Sequence, residues 1–153
     1  MSMKHLAAAG LVAVAAAILT GCGSAAPAEV PPATVTQIAG SQVARLQLTG
    51  QAIQRLGITT QPVREAPAAK GKVLARAGAR KVIPYSAVVY DTDGSTWTYV
   101  NTAARTYVRQ PITIAAIRGN VAVLSAGPPV GTKVVTVGAA ELLGTEYDIS
   151  GEE

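Results

Sequence analysis

Phenylalanine is absent from the 153 residues, and cysteine, histidine and tryptophan occur once each. The only histidine, His5, and both methionines, Met1 and Met3, lie within the first 21 residues. Beyond that point there is no imidazole or thioether, and the one thiol is Cys22. Copper, silver and ordinary zinc sites therefore lack ligands, and we expect no metal. Nucleophilic mechanisms that need a histidine base or a free thiolate are excluded in the same way, so we expect neither an enzyme nor a cofactor. A single cysteine also rules out a disulfide within the chain, and the fold must rest on apolar burial. Charge of one sign is scarce as well. The 13 basic and 9 acidic residues give a formal charge of +4, and loss of Lys4 would leave 12 against 9, too mild an excess to argue for nucleic acid.

What is present begins with Leu19-Thr20-Gly21-Cys22, a lipobox that closes an apolar segment preceded by Lys4. The apolar run, residues 6–18, is about 13 residues long, which suits a signal peptide and is too short to span a bilayer. After Leu19, the small residues Thr20 and Gly21 let the backbone enter a lipoprotein peptidase, and Cys22 supplies the thiol for a diacylglyceryl group. Residues 1–21 are thus expected to be a cleaved signal and Cys22 the lipidated start of the mature chain, anchored by two or more acyl tails to a membrane of the cell envelope.

About 130 residues remain, enough for one domain with a core. Residues 22–40 are rich in Ala, Pro, Ser and Thr and predict a disordered tether. The segment 43–48 alternates apolar and polar residues as a half-buried strand does. Thr49 then predicts the N-cap of a short helix over 51–56 that stops at Gly57, and 58–63 is extended again. Residues 64–81 carry Arg64, Lys70, Lys72, Arg76, Arg80 and Lys81 against Glu65 alone. They predict a basic connector, either a solvated loop or a contact for anionic lipid headgroups.

After Lys81 the pattern is all β, with strands predicted over 82–90, 97–101, 106–117, 121–125 and 133–137 and turn residues between them. Asp91-Thr92-Asp93-Gly94 and Gly119-Asn120 predict hairpin turns, and Pro128-Pro129-Val130-Gly131 a third reversal. Pro84 and Pro111 should lie at strand ends, edges or bulges. A turn or two of helix over 139–144 is expected to end at Gly144, before an acidic tail at 148–153. The predicted fold is mainly β: one domain over 41–147, a small antiparallel roll or barrel of about 5–7 strands with one or two short helices.

Asp91 and Asp93 have the opening rhythm of a calcium loop, but no acidic ligand follows at the required spacing, so a hairpin turn accounts for them and they are assigned no chemistry. Trp97 and Tyr99 lie on one face of their strand, with Tyr107 opposite on the next and Arg109 two residues further on. These four are the candidate partner or ligand surface. The competing reading makes the rings core and Arg109 part of a solvated strand edge.

The stretch Val82-Ile83-Pro84-Tyr85-Ser86-Ala87-Val88-Val89-Tyr90-Asp91, then Gly94, Trp97-Thr98-Tyr99-Val100 and Val108-Arg109-Gln110-Pro111-Ile112, resembles the membrane-proximal region of periplasmic adaptor proteins, the membrane fusion proteins. The resemblance continues through Val123 to Gly131 and Val134 to Gly144. Upstream, Leu46-Gln47-Leu48-Thr49 and Arg55-Leu56-Gly57-Ile58-Thr59-Thr60-Gln61-Pro62-Val63 resemble the segment that opens mature adaptors. The resemblance implies a partner, an inner-membrane pump of the resistance-nodulation-division or ABC kind. The lipoyl-like domain, helical hairpin and most of the barrel that such adaptors insert are replaced by the connector at 64–81. The resemblance therefore implies a reduced adaptor or accessory subunit that docks on a transport complex. The alternative is a free-standing envelope lipoprotein that binds a small ligand or another envelope protein through its aromatic face.

Overall fold

The computed structural model describes residues 30–66 and 81–150, with side chains to residue 148. The signal segment, Leu19, Thr20, Gly21 and Cys22, and the connector residues 67–80 lie outside the described residues. In chain order the elements are β1 (Ala33–Gln37), β2 (Ala44–Leu48), α1 (Gly50–Leu56), β3 (Thr59–Pro62), β4 (Arg64–Glu65), β5 (Lys81–Pro84), β6 (Val89–Tyr90), β7 (Thr96–Ala103), β8 (Thr106–Pro111), β9 (Thr113–Arg118), β10 (Val121–Ala126), β11 (Lys133–Val137) and α2 (Ala139–Ser150).

The domain is mainly β and its described pairings are antiparallel, as predicted, but the strands form two open sheets and not a closed barrel. One sheet has the order β1-β2-β8-β7-β11-β3, with β6 also paired to β7, and the other the order β4-β5-β10-β9. The described strands exceed the expected number because two predicted strands are broken and because β1 and β4 form in segments expected to be tether and connector. Pro84 ends β5, and a 3-10 turn over Tyr85–Ala87 separates it from β6. The run 106–117 is divided at Ile112, which is buried. There the chain steps from the large sheet (β8) into the small one (β9), as it also does at buried Val63 between β3 and β4. Each step keeps its backbone satisfied: Ile112 N donates to Thr96 O at 2.9 Å, and Val63 N donates to Thr132 O at 2.8 Å.

Period-two alternation gives the large sheet two buried faces. Tyr99, Tyr107, Leu46, Leu48 and Val135 point toward α1 and α2, where they meet Ala52, Ala139 and Leu142. Val100 and Val134, one residue out of phase, point the other way and pack with Ile83, Ala122 and Leu124 of the small sheet.

Local chemistry set several elements as predicted. The Thr49 side chain accepts from Ala52 N at 3.1 Å, and Gly57 closes α1 in the left-handed region at φ 62°. Gly94, at φ 82°, turns β6 into β7 while Asp91 N donates to Ser95 O at 2.9 Å. Gly119-Asn120 joins β9 to β10 directly.

Three boundaries differ from expectation. Residues 33–37, assigned to the tether, form β1, because Thr34, Val35 and Thr36 find a ladder on β2. The ends of the connector are ordered likewise, with Arg64 opposite Val82 and Glu65 opposite Lys81. The last helix passes through Gly144 to Ser150, so Asp148 is helical and not part of a tail. Packing of Leu142 and Glu146 on the sheet outweighs the propensity cost of a mid-helix glycine, about 1 kcal/mol.

Candidate functional site

The densest polar cluster among the described residues is built around Arg109 on β8, whose side chain is 4% exposed. Its guanidinium Nη1 lies 2.6 Å from Asp91 Oδ2 in the β6–β7 turn and donates to Tyr147 Oη at 3.2 Å, and Nη2 donates to Gln42 O at 3.4 Å. Nε stands 3.4 Å from Glu146 Oε2, an ionic contact without hydrogen-bond geometry. The guanidinium also lies 4.6 Å from the centre of the Trp97 ring and 5.5 Å from that of Tyr147. On the far side of the cluster Tyr99 Oη donates to Glu146 Oε2 at 2.5 Å, and Ala44 N donates to Glu146 Oε1 at 3.0 Å.

Each group is there for a local reason. Register places Arg109 directly opposite Tyr99, with Trp97 two residues along the same strand face, so the three share the helix side of the sheet. The tight turn at Gly94 brings Asp91 back over that face, where Tyr147 Oη donates to Asp91 Oδ1 at 2.5 Å. Ala139, Leu142 and Glu146 fall on one stripe of α2, and that stripe is buried.

The electrostatics are self-consistent. The hydrogen bond from Tyr147, the N–H of Thr92 and the neighbouring Arg109 together hold the Asp91 carboxyl below its ordinary range. Burial disfavours the Arg109 charge, but Glu146, Asp91 and Tyr147 outweigh it and raise the guanidinium above its usual value. Burial, and then the bond to Glu146, push the Tyr99 phenol up. The cluster thus draws one cation, two carboxylates and two phenols from β7, β8, a turn and α2 into one network, and it holds α2 on the sheet.

Sequence reasoning placed Trp97, Tyr99, Tyr107 and Arg109 on one surface. The structure does bring them to one sheet face but corrects the surface: Tyr99, Tyr107 and Arg109 are buried beneath the helices, and only Trp97 is half-exposed, its Nε1 donating to Ser95 Oγ at 2.7 Å. The rings are core, and Arg109 is not at a solvated edge. Asp91, assigned no chemistry, has two side-chain partners here, Arg109 and Tyr147. Glu146 and Tyr147 were missed because α2 was ended at Gly144, although the spacing 139, 142, 146 carried the helical signal.

Among the open clefts that lie apart from this cluster in the described residues are two. One, of about 400 Å³, runs between α1 and α2 along Pro32, Ala33, Leu48, Leu56 and Thr145. The other, of about 250 Å³, lies where the sheets diverge, beside Gln61, Arg64, Asn120 and Val121. Among the described residues no group of three or more His, Cys, Asp or Glu side chains could hold a metal ion, and no helix is long and apolar enough to cross a membrane. Comparison of the chain with known protein families, with curated proteins and with solved structures gave no match.

Proposed function

We propose that this chain is a lipid-anchored envelope protein that works by docking on a membrane transport complex, as a reduced adaptor or accessory subunit. The observation that carries this reading is where the chain is interrupted. The part before the connector supplies β1, β2 and β3 to the large sheet, and the part after it supplies β6, β7, β8 and β11. The two parts interleave, β2 beside β8 and β3 beside β11, so neither has a complete sheet alone. The segment between them leaves from β4 and returns on β5, its antiparallel neighbour. A domain built this way accepts an insertion of any size at that hairpin without disturbing its core, which is the arrangement the adaptor resemblance implies for the membrane-proximal region.

The anchor fits the same reading. From Cys22 to Ala33, where β1 starts, an extended chain reaches no more than about 40 Å, so a lipid on Cys22 would keep the sheets beside the bilayer. Confinement there raises the effective concentration of a membrane partner, and a small interface then suffices.

The test is to recover the full-length protein from membranes and identify what accompanies it. The expected result is a resistance-nodulation-division or ABC transporter subunit, lost together with membrane fractionation in Cys22→Ser. A Cys22→Ser protein that still fractionates with membranes, or a wild-type protein recovered without any transporter, overturns the reading.

A further inference from the structure

The cleft between α1 and α2 is apolar along Pro32, Ala33, Leu48, Ala52 and Leu56, and its volume of about 400 Å³ falls in the range of small-ligand sites, about 300–1,000 Å³. A further open cleft, of about 570 Å³, adjoins it and shares Pro31, Pro32, Ala52 and Arg55. The two run together as one trough that reaches Val30, the first described residue.

The α1–α2 cleft carries few polar groups. The Thr145 hydroxyl is turned back onto its own helix and donates to Glu141 O at 2.9 Å. That leaves Arg55, in the last turn of α1, and Asp148, on α2, as its charged residues. Both are exposed, and among the described residues neither side chain makes an ion pair or a hydrogen bond. A cation and a carboxylate thus flank one apolar surface without neutralising each other. A ligand that suits all three features has an aliphatic part for the trough, an anion for Arg55 and a hydrogen-bonding cation for Asp148.

We propose that this cleft binds a membrane phospholipid whose zwitterionic headgroup ends in a primary amine, of the phosphatidylethanolamine kind. An acyl chain lies along Pro32, Leu48 and Leu56, the phosphate accepts from the Arg55 guanidinium, and the ammonium donates to the Asp148 carboxylate. A choline head has no N–H to give Asp148, and a glycerol head brings it no cation. Access rests on the membrane-anchored reading above. From Cys22 to Val30 an extended chain reaches no more than about 28 Å, so a lipid on Cys22 would keep the mouth of the trough near the bilayer surface.

The test purifies the full-length protein from membranes in an uncharged detergent, adds equal amounts of phosphatidylethanolamine, phosphatidylcholine and phosphatidylglycerol with identical acyl chains, and reads the bound lipid by native mass spectrometry. The expected result is one phosphatidylethanolamine per chain, preferred about tenfold over either competitor. Free phosphoethanolamine in excess is expected not to displace it, because the trough holds the chain. Arg55→Gln and Asp148→Asn should each lower affinity about tenfold with no change in thermal unfolding, since neither side chain is paired in the domain. Asp148→Lys should turn the preference toward phosphatidylglycerol. Absence of bound phospholipid, equal occupancy by the three lipids, displacement by the headgroup alone, or occupancy unchanged by Arg55→Gln and Asp148→Asn overturns the proposal. The intact mass in the same spectra reports acylation of Cys22. An acylated chain that binds no phospholipid overturns the cleft and leaves the anchor standing, whereas a chain without acyl groups that still binds phosphatidylethanolamine supports the cleft and overturns the anchor.

Discussion

Tyr99 on β7 and Glu146 on α2, 47 positions apart in the chain, are joined by a 2.5 Å hydrogen bond from the phenol to a carboxylate that is 2% exposed. The same carboxylate bonds Ala44 N at the start of β2 and faces the Arg109 guanidinium, so three strands are fixed to one helix through one side chain. Removing it strands a buried donor at each contact. Glu146→Leu is expected to destabilise the domain by about 3–5 kcal/mol, measured by urea unfolding. Arg109→Met combined with Glu146→Leu should cost less than the sum of the single changes by about 1 kcal/mol or more. Strict additivity would show that the two side chains are not coupled.

Helix α2 offers the opposite kind of change. Gly144 lies in its interior on the exposed side, and a Cβ built there meets nothing within 4 Å. Gly144→Ala should therefore stabilise the domain by about 0.5–1 kcal/mol, through helix propensity and a less flexible unfolded chain. A neutral or destabilising result in thermal unfolding would mean that the helix does not continue past this residue in solution.

Four of the five tyrosines give the domain an alkaline limit. Burial and the bond to Glu146 raise Tyr99, burial raises Tyr107, the bond to Asp91 raises Tyr147, and the bond to Tyr85 raises Tyr90. A phenol whose folded pKa lies above its unfolded value of about 10 keeps its proton better when folded. Its contribution to stability is full below pH 10 and is lost as pH rises from there toward the folded value. Tyrosinate absorbance should therefore appear late and together with loss of the β-sheet circular dichroism signal. A smooth titration near pH 10 with the sheet signal intact would contradict the buried placement of Tyr99 and Tyr107.

How far this structure was legible in the sequence follows the range of the forces involved. The α1 cap at Thr49, the stop at Gly57 and the hairpins at Gly94 and Gly119 depend on a few neighbouring residues, and each stands where the pattern put it. β1 depends on partners 7 to 15 residues away, and its Pro-flanked, Ala- and Thr-containing sequence has the composition of a linker until β2 is placed beside it. The Arg109 cluster depends on partners up to 102 residues apart. Period-two spacing showed that Tyr107 and Arg109 share a face, and Trp97 and Tyr99 likewise, but whether that face meets water or a helix is decided by α2, which propensity at Gly144 had cut short. Arg109, an ordinary surface residue by composition, is buried only because Asp91 and Glu146 arrive from a turn and a helix to meet it.

Gly138 and Gly57 separate two reasons for a glycine to be irreplaceable. Both lie in the left-handed region, at φ 86° and 62°. A Cβ on Gly57 meets nothing within 4 Å, so Gly57→Ala should cost only the backbone strain, about 1–2 kcal/mol. A Cβ on Gly138 would lie 3.0 Å from Ile58 Cδ1 and 3.1 Å from Cγ1, against a residue packed on the core beneath the helices. Gly138→Ala is accordingly expected to cost more than Gly57→Ala, by about 1–2 kcal/mol of overpacking in denaturant unfolding. Ile58→Val removes the Cδ1 methyl. The penalty of Gly138→Ala should therefore be smaller in that background, whereas that of Gly57→Ala should not change. Equal penalties at the two glycines in the wild-type background would mean that the close approach of β11 and α2 to Ile58 yields at no cost, and that backbone conformation alone selects glycine at this junction.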